Sequence, residues 1–178
     1  MARTGRPPKA RVERTDAPPG CRWLALTQGA YALIDESDYA AASKFNWQLA
    51  TIGYAIGWIP DATGTRRRTL LHRWLIGEPT DEVDHINQNR LDCRRCNLRL
   101  ATHAENAWNG TLRSTNTSGF RGVFWHPRLK KWRARITWQG RGIHIGVFTD
   151  ITEAARAYDA KARELFGKFA ALNFPEGR

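Results

Sequence analysis

An α+β fold is predicted for this chain of 178 residues: antiparallel strands lead into a strand-strand-helix unit, and beyond a polar linker a three-stranded antiparallel sheet packs on one α-helix. Three observations predict it. Apolar runs of strand length, bounded by Gly, Pro, Asn and Asp, fill residues 22–70. A capping-box tetrapeptide, Thr102 to Glu105, opens a short helix directly after two further strands. In the last third, strand-like segments joined by tight turns precede a helical apolar period that begins after Asp150.

Residues 1–20 are rich in Pro, Arg and Gly without apolar period, and are expected to form a disordered basic arm. A first domain spans 21–109. Its scaffold reads as strands "RWLALT", "YALI", "NWQLA", "YAIGWI" and "RRTLL", with a helix over about Asp35 to Phe45 and a turn at "PDATGT". Tyr54, Ile56 and Trp58 alternate as a half-buried strand requires. "LHRWLIG" is a short helix ending near Gly77. The unit at about 83–109 follows: strand "VDHI", polar loop Asn87 to Cys96, strand "NLRLA", and the helix from Thr102, halted by Asn109 and Gly110.

Residues 110–118, "GTLRSTNTS", form a polar linker, and a second domain spans 119–178. Its strands are "FRGVFWH", "KWRARITWQ" and "IHIGVF". Its helix carries Ala154, Ala155, Ala157, Tyr158, Ala162, Leu165 and Phe166 at helical spacing and ends at Gly167. In the middle strand Trp132, Ala134, Ile136 and Trp138 share the face expected to meet this helix, while Arg133, Arg135 and Thr137 share the other. The two tryptophans therefore read as core.

The net charge of +11 is unevenly spread. Residues 1–20 contribute +3, 21–70 contribute +1, and 71–118 and 150–178 contribute nothing, whereas 119–149 contribute +7 with no acidic residue at all. Seven Lys or Arg interleaved with Phe120, Phe124, Trp125, Trp132, Trp138 and Phe148 suit a polyanion whose counterions are released on binding. Nucleic acid is the expected partner, which the resemblances given below narrow to double-stranded DNA. No apolar run approaches the ~18 residues of a membrane span, and the N-terminus has charges and prolines where a signal peptide needs apolar residues. The expectation is a soluble intracellular protein with no membrane partner and with Cys21, Cys93 and Cys96 reduced.

The chemistry concentrates in "DHINQNRLDCRRCNLRLATHAEN", Asp84 to Asn106. A hard divalent ion takes oxygen ligands and keeps waters, so the Asp84 carboxylate, the Asn106 amide and a substrate phosphate suffice to hold Mg²⁺. The imidazole of His85 suits a general base for an attacking water. Strand alternation sends Asp84 and His85 to opposite faces, so both reach one site only if the strand twists or one side chain reaches around it.

The run "VDHINQNRLDCRRCNLRLATHAENAWN" resembles the HNH nuclease motif, the ββα-metal fold of phage and intron-encoded homing endonucleases and colicin nucleases. Asn97 follows His85 by twelve residues and Asn106 follows Asn97 by nine, as in the His-Asn-Asn variant of the phage homing enzymes. The resemblance implies that Asp84 and Asn106 hold one Mg²⁺ or Mn²⁺ and that His85 activates the water. It further implies that Asn97 pins the loop that aims the imidazole. The upstream His72 and Arg73 also recur in that family, with a structural or phosphate-contact role.

Zinc would need four ligands, and a single Cys-x-x-Cys pair, Cys93 and Cys96, is present without the second pair of the zinc-bearing HNH relatives. The cysteines are therefore read as ordinary thiols. His103 is either an auxiliary group or a solvent-facing first-turn histidine, and Asn109, three residues after Asn106, is an alternative ligand on the same helical face.

"GFRGVFW", "KWRARI", "GVF", "EAARAYDAKARELFG" and "ALNFP" resemble the Apetala-type DNA-binding domain of plant ethylene-response factors, over about 119–175. The resemblance implies a sheet laid in the major groove, with Arg121 matching a family arginine contact and Arg133, Arg135, Thr137, Arg141 and His144 on or beside the exposed face. Phe124 and His126 stand where plant members have arginines and His144 where they have tryptophan, so the plant base preference does not transfer. Together the resemblances imply a site-directed DNA endonuclease of the phage homing type, which nicks one strand or cuts both, as monomer or dimer, in the host cytoplasm if phage-encoded. The competing reading is a non-catalytic DNA-binding or packaging-associated protein with a degenerate nuclease unit.

Overall fold

A computed structural model describes residues 14–175, so most of the expected basic arm lies outside the described residues. The architecture is the expected mixed α+β, built from small antiparallel sheets and few helices. The chain divides into two compact units between Leu100 and Ala101, ahead of the expected 110–118 linker.

In the first unit β1 (Cys21–Ala25) and β2 (Tyr31–Asp35) form a hairpin, Cys21 opposite Asp35. Its turn places Gln28 and Gly29 at φ of 71° and 78°, the mirror-image geometry that matches hairpin twist. Helix α1 (Glu36–Ala42) is shorter than expected, with Asp35 at its N-cap. A second sheet runs in the order β3 (Trp47–Leu49), β4 (Ala55–Pro60), β5 (Arg66–Leu70), followed by α2 (Leu71–Leu75).

Trp47 is wholly buried, and its Nε1 donates to the Ala42 carbonyl at 2.9 Å. Its ring lies on β4 at Gly57, where a Cβ would stand 2.9 Å from it. The core accordingly takes Ala55 and Ile59 with Leu24, Ile34, Leu71 and Leu75. The alternate set on β4 faces elsewhere. Trp58 is 58% exposed, and Tyr54, just before the strand, covers two imidazoles described below. The remaining strands, β6 (Glu82–His85) and β7 (Leu98–Ala101), pair with each other.

In the second unit α3 (His103–Trp108) starts at the expected capping box: the Thr102 hydroxyl accepts from the Glu105 amide, and the Thr102 amide donates to Glu105 Oε2 at 2.8 Å. Trp108 stacks on Phe166 at 4.8 Å and packs against Trp138 at 5.0 Å. Those contacts explain why this helix and the segment after it group with the C-terminal sheet, whereas local sequence suggested a break after the helix.

That sheet runs β10 (Arg141–Phe148), β9 (Lys131–Trp138), β8 (Val123–His126). Strand β8 begins later than the expected Phe120, because Gly122 adopts φ 69° and a Cβ there would run into the Tyr158 ring and the Arg135 carbonyl. Helix α4 (Ile151–Phe166) is capped by Asp150, whose carboxylate accepts from the Thr152 and Glu153 amides. It buries Ala154, Ala155, Tyr158, Ala162 and Phe166 against the sheet, with Trp132 and Trp138 partly buried beside them. Asp159, also buried, accepts from the amides of Asn173 and Phe174 and from Asn173 Nδ2. This ties the C-terminal segment to α4. Asn173 in turn accepts from the Arg121 amide at 2.6 Å, fixing the entry to β8.

Candidate functional site

Asp84 and His85 are neighbours on β6, and both are buried, 5% and 4% exposed. Asp84 meets β7, where Arg99 Nε and Nη2 donate to its Oδ2 at 2.8 and 2.7 Å. His85 meets the scaffold instead. Its ring centroid lies 4.7 Å from that of His72, edge-to-face, and 5.8 Å from that of Tyr54. Tyr54 lies 5.1 Å from His72 and carries the Arg90 guanidinium 4.9 Å over its ring. Arg90 Nη1 also donates to the Ile52 carbonyl at 2.6 Å. Cys93 Sγ stands 3.9 Å from His85 Nε2.

Burial pushes the His85 imidazole down to about 4, with Arg90 assisting and the Asp84 and Asp92 carboxylates pulling the other way. Burial likewise pushes His72 down to about 3, helped by His85 and Arg73. The Cys93 thiol is driven upward by burial and by Asp92. At neutral pH the cluster therefore holds two uncharged imidazoles beside a protonated thiol.

Asn97, at the end of a 3₁₀ turn, closes the loop that leads back from His85. Its Nδ2 donates to Asn87 Oδ1 at 2.9 Å and to the Asp92 carbonyl at 2.7 Å, and its Oδ1 accepts from the Asn87 amide at 3.0 Å. Its own carbonyl accepts from the Ile86 amide at 2.9 Å. Asp92 is a second knot. Burial works to raise its carboxyl, but donors from Arg94 and Asn87 outweigh this and hold it below its ordinary value. The loop is also stitched to the hairpin: Leu33 donates to the Leu91 carbonyl, Cys93 donates to the Leu33 carbonyl, and Arg95 forks onto Asp38. With Asp35, whose carboxylate accepts from the Arg95 amide, seven side chains from Asp35 to Asn97 thus immobilise a segment with almost no regular structure.

The first unit brings together Asp84, His85 and Asn97. His103, Asn106 and Asn109 belong to the second unit, spaced three apart along α3 and its C-cap. His103 is exposed, Asn106 half-buried and Asn109 buried. A hard divalent ion needs oxygen donors and retains waters, so a carboxylate and an amide fit it without a larger acidic cluster. Among the described residues no group of three or more His, Cys, Asp or Glu is placed to hold a metal ion.

Three contributors escaped sequence reasoning. Cys93, read as an ordinary thiol, touches His85; Tyr54 closes over it beside His72, whose structural or phosphate-contact role was expected; and Arg99 pairs with Asp84. Only Arg99 left a local signal, as an opposite charge on the partner strand of Asp84.

On the second unit's sheet, Arg135, Thr137, Arg141 and His144 are exposed and Arg121 and Arg133 half-buried. Arg133 Nε donates to His144 Nδ1 at 3.2 Å, and the Arg135 guanidinium occupies the space a Cβ would need at Gly142. A cavity of about 760 Å³ beside this face is lined by Arg113, Arg121, Phe124, Arg135, Thr137 and Gln139 among others. Among the described residues no helix is long and apolar enough to cross a membrane.

A family model described as HNH endonuclease matches residues 77–108, which run from the end of α2 through α3. An uncharacterized HNH endonuclease of Acanthamoeba polyphaga mimivirus is 32% identical over 157 residues, 84% of this chain and 78% of that protein. Protein 3.8 of Escherichia phage T7 is 38% identical over 88 residues, 49% of this chain and 72% of that protein. No solved structure gives a significant match. With the matched segment covering Asp84, His85, Asn97 and Asn106, and a relative aligned over most of both lengths, the chain belongs to the HNH endonuclease family.

Proposed function

We propose that this HNH endonuclease is a site-directed DNA-cutting enzyme of the phage homing type, with His85 as general base and with Asp84 and Asn106 as donors to one Mg²⁺ or Mn²⁺. The observation that carries the reading is a buried, uncharged His85 beside Asp84, on a strand whose following loop is tied down by Asn97. Family members generally use a divalent metal, which when bound supplies charge stabilisation to the scissile phosphate and the departing oxygen.

The chain's own residues do the rest. His85 takes a proton from the attacking water. An imidazole held near 4 is a weak base at pH 7, but a docked phosphate anion favours the charged ring and moves it toward the working range. His72, Tyr54 and Cys93 hold the ring plane, and Arg99 orients the Asp84 carboxylate. Asn97 keeps the loop from swinging the strand end. His103 and Asn109 are auxiliary polar groups on the helix of Asn106. Residues 119–178 act as an Apetala-type DNA-binding domain, with Arg121, Arg133, Arg135, Thr137, Arg141 and His144 toward the duplex. The acid-free +7 stretch and the exposed arginine face support that part.

The test is supercoiled plasmid incubated with the full chain and Mg²⁺ or Mn²⁺, with and without EDTA. Relaxed or linear product is expected only with the free ion. Intact plasmid under every divalent ion tried would overturn the proposal.

A further inference from the structure

On the solvent face of the C-terminal sheet Arg133, Arg135, Thr137 and His144 stand with two apolar side chains, the half-buried Val147 opposite Arg133 and the more exposed Phe124. Val123 on β8 is 1% exposed and points to the helix side, so its neighbour Phe124 takes the other face and is 53% exposed. The register sets Phe124 directly opposite Arg133, which bonds to His144 on the next strand. It also shares the cavity beside this face with Arg121 and Arg135. A benzyl group thus stands among guanidinium groups, in a stretch of 31 residues without a carboxylate. It contributes nothing to phosphate binding, and water is a poor neighbour for it.

A major groove offers such a side chain one apolar feature at the base edges, the C5 methyl of thymine. Arginine and histidine beside it read guanine or phosphate and cannot use a methyl group. We infer that Phe124 is a specificity residue that reads thymine through its methyl, flanked by arginine contacts to neighbouring bases and phosphates. The occupant is duplex DNA, on grounds of charge complementarity with the +7 segment. The inference rests on the reading of this sheet as the DNA-facing surface.

The experiment uses the full chain in EDTA, so that the DNA stays whole. Duplexes are first selected from a random-sequence pool by repeated binding, and the consensus duplex is then remade with each thymine in turn replaced by deoxyuridine, which differs only by the methyl. Affinities are read by fluorescence anisotropy. At one or two positions the wild type should bind the uracil form about fivefold more weakly. Phe124→Ala should bind both forms alike, and Phe124→Leu should keep part of the discrimination. Equal binding at every position by the wild type, or undiminished discrimination by Phe124→Ala, overturns the inference; a side chain wedged between base pairs would give that result, since wedging ignores the methyl. The underlying sheet reading is checked separately with Arg133→Ala/Arg135→Ala. Unchanged affinity in that variant would overturn both, whereas weakened affinity with methyl-blind binding would overturn the thymine inference alone.

Discussion

His72 and His85 in the first unit are each only 4% exposed, whereas Arg135, Thr137, Arg141 and His144 in the second all lie open to solvent. The two regions handle charge in opposite ways for a physical reason. Burial strips the imidazoles of their protons at neutral pH, which a proton acceptor requires, and packing against Tyr54 and Cys93 leaves the ring little freedom. Exposure leaves the guanidinium groups hydrated and within reach of small counterions, which phosphates can replace. Scaffold density follows the same division. The loop around Asn97 is knotted by side chains, while the sheet is held chiefly by its backbone ladders, with Arg133 bonded to His144 on its face.

The contrast breaks most sharply if chemistry and docking fail together. Asp84→Ala should lower the cleavage rate by about a thousandfold while moving DNA affinity little, as measured by plasmid nicking and gel shift side by side. Arg133→Ala with Arg135→Ala should do the reverse. Affinity should fall by about a hundredfold, and if both arginines touch phosphates the slope of log K against log salt should drop by about two, while the rate at saturating DNA survives.

Smaller effects sharpen the difference in scaffold. Asn97→Ala strands the Asn87 amide and the Asp92 carbonyl, which should cost about 2–3 kcal/mol in urea unfolding followed by tryptophan fluorescence. A loss under about 0.5 kcal/mol would mean that the Asp92 and Arg95 ties hold the loop alone. The pH dependence should be smaller still per unit. His72 has a folded value of about 3 against 6.5 unfolded, so the unfolded chain binds the extra proton between those values. Stability contributed by the neutral ring is full above 6.5 and is lost as pH falls toward 3, with a slope of about 1.4 kcal/mol per pH unit for one imidazole. Urea midpoints at pH 7 and pH 5 should show at least this slope, since His85, lowered to about 4, adds to it, and His72→Phe, which keeps the ring packing, should reduce it.

How much of this was legible in the sequence depended on whether the cause was local. The α+β class, the capping box at Thr102 and the Asp150 helix start follow from period and cap chemistry, and the structure has them. Asp84 and His85 were named from residue type and Asn97 from the resemblance to the HNH motif, and the structure has the first two adjacent and buried on β6 and Asn97 tying the loop that follows. The late start of β8 was hidden in the contact between Gly122 and Tyr158, and the division at Leu100 in the packing of Trp108 on Phe166 and Trp138. The side chains around His85, the rings of Tyr54 and His72 and the thiol of Cys93, are brought to it only by tertiary closure. On β4 the inward face was decided by Gly57, whose missing side chain makes room for Trp47.

The central claim is that His85 performs chemistry and takes no part in docking. Its most direct test is His85→Ala measured twice in one preparation, for conversion of supercoiled plasmid with Mg²⁺ and for DNA affinity in EDTA. The account predicts cleavage down by about a thousandfold with affinity within about twofold of wild type. Retained cleavage, or cleavage and affinity lost together from a folded protein, would contradict it.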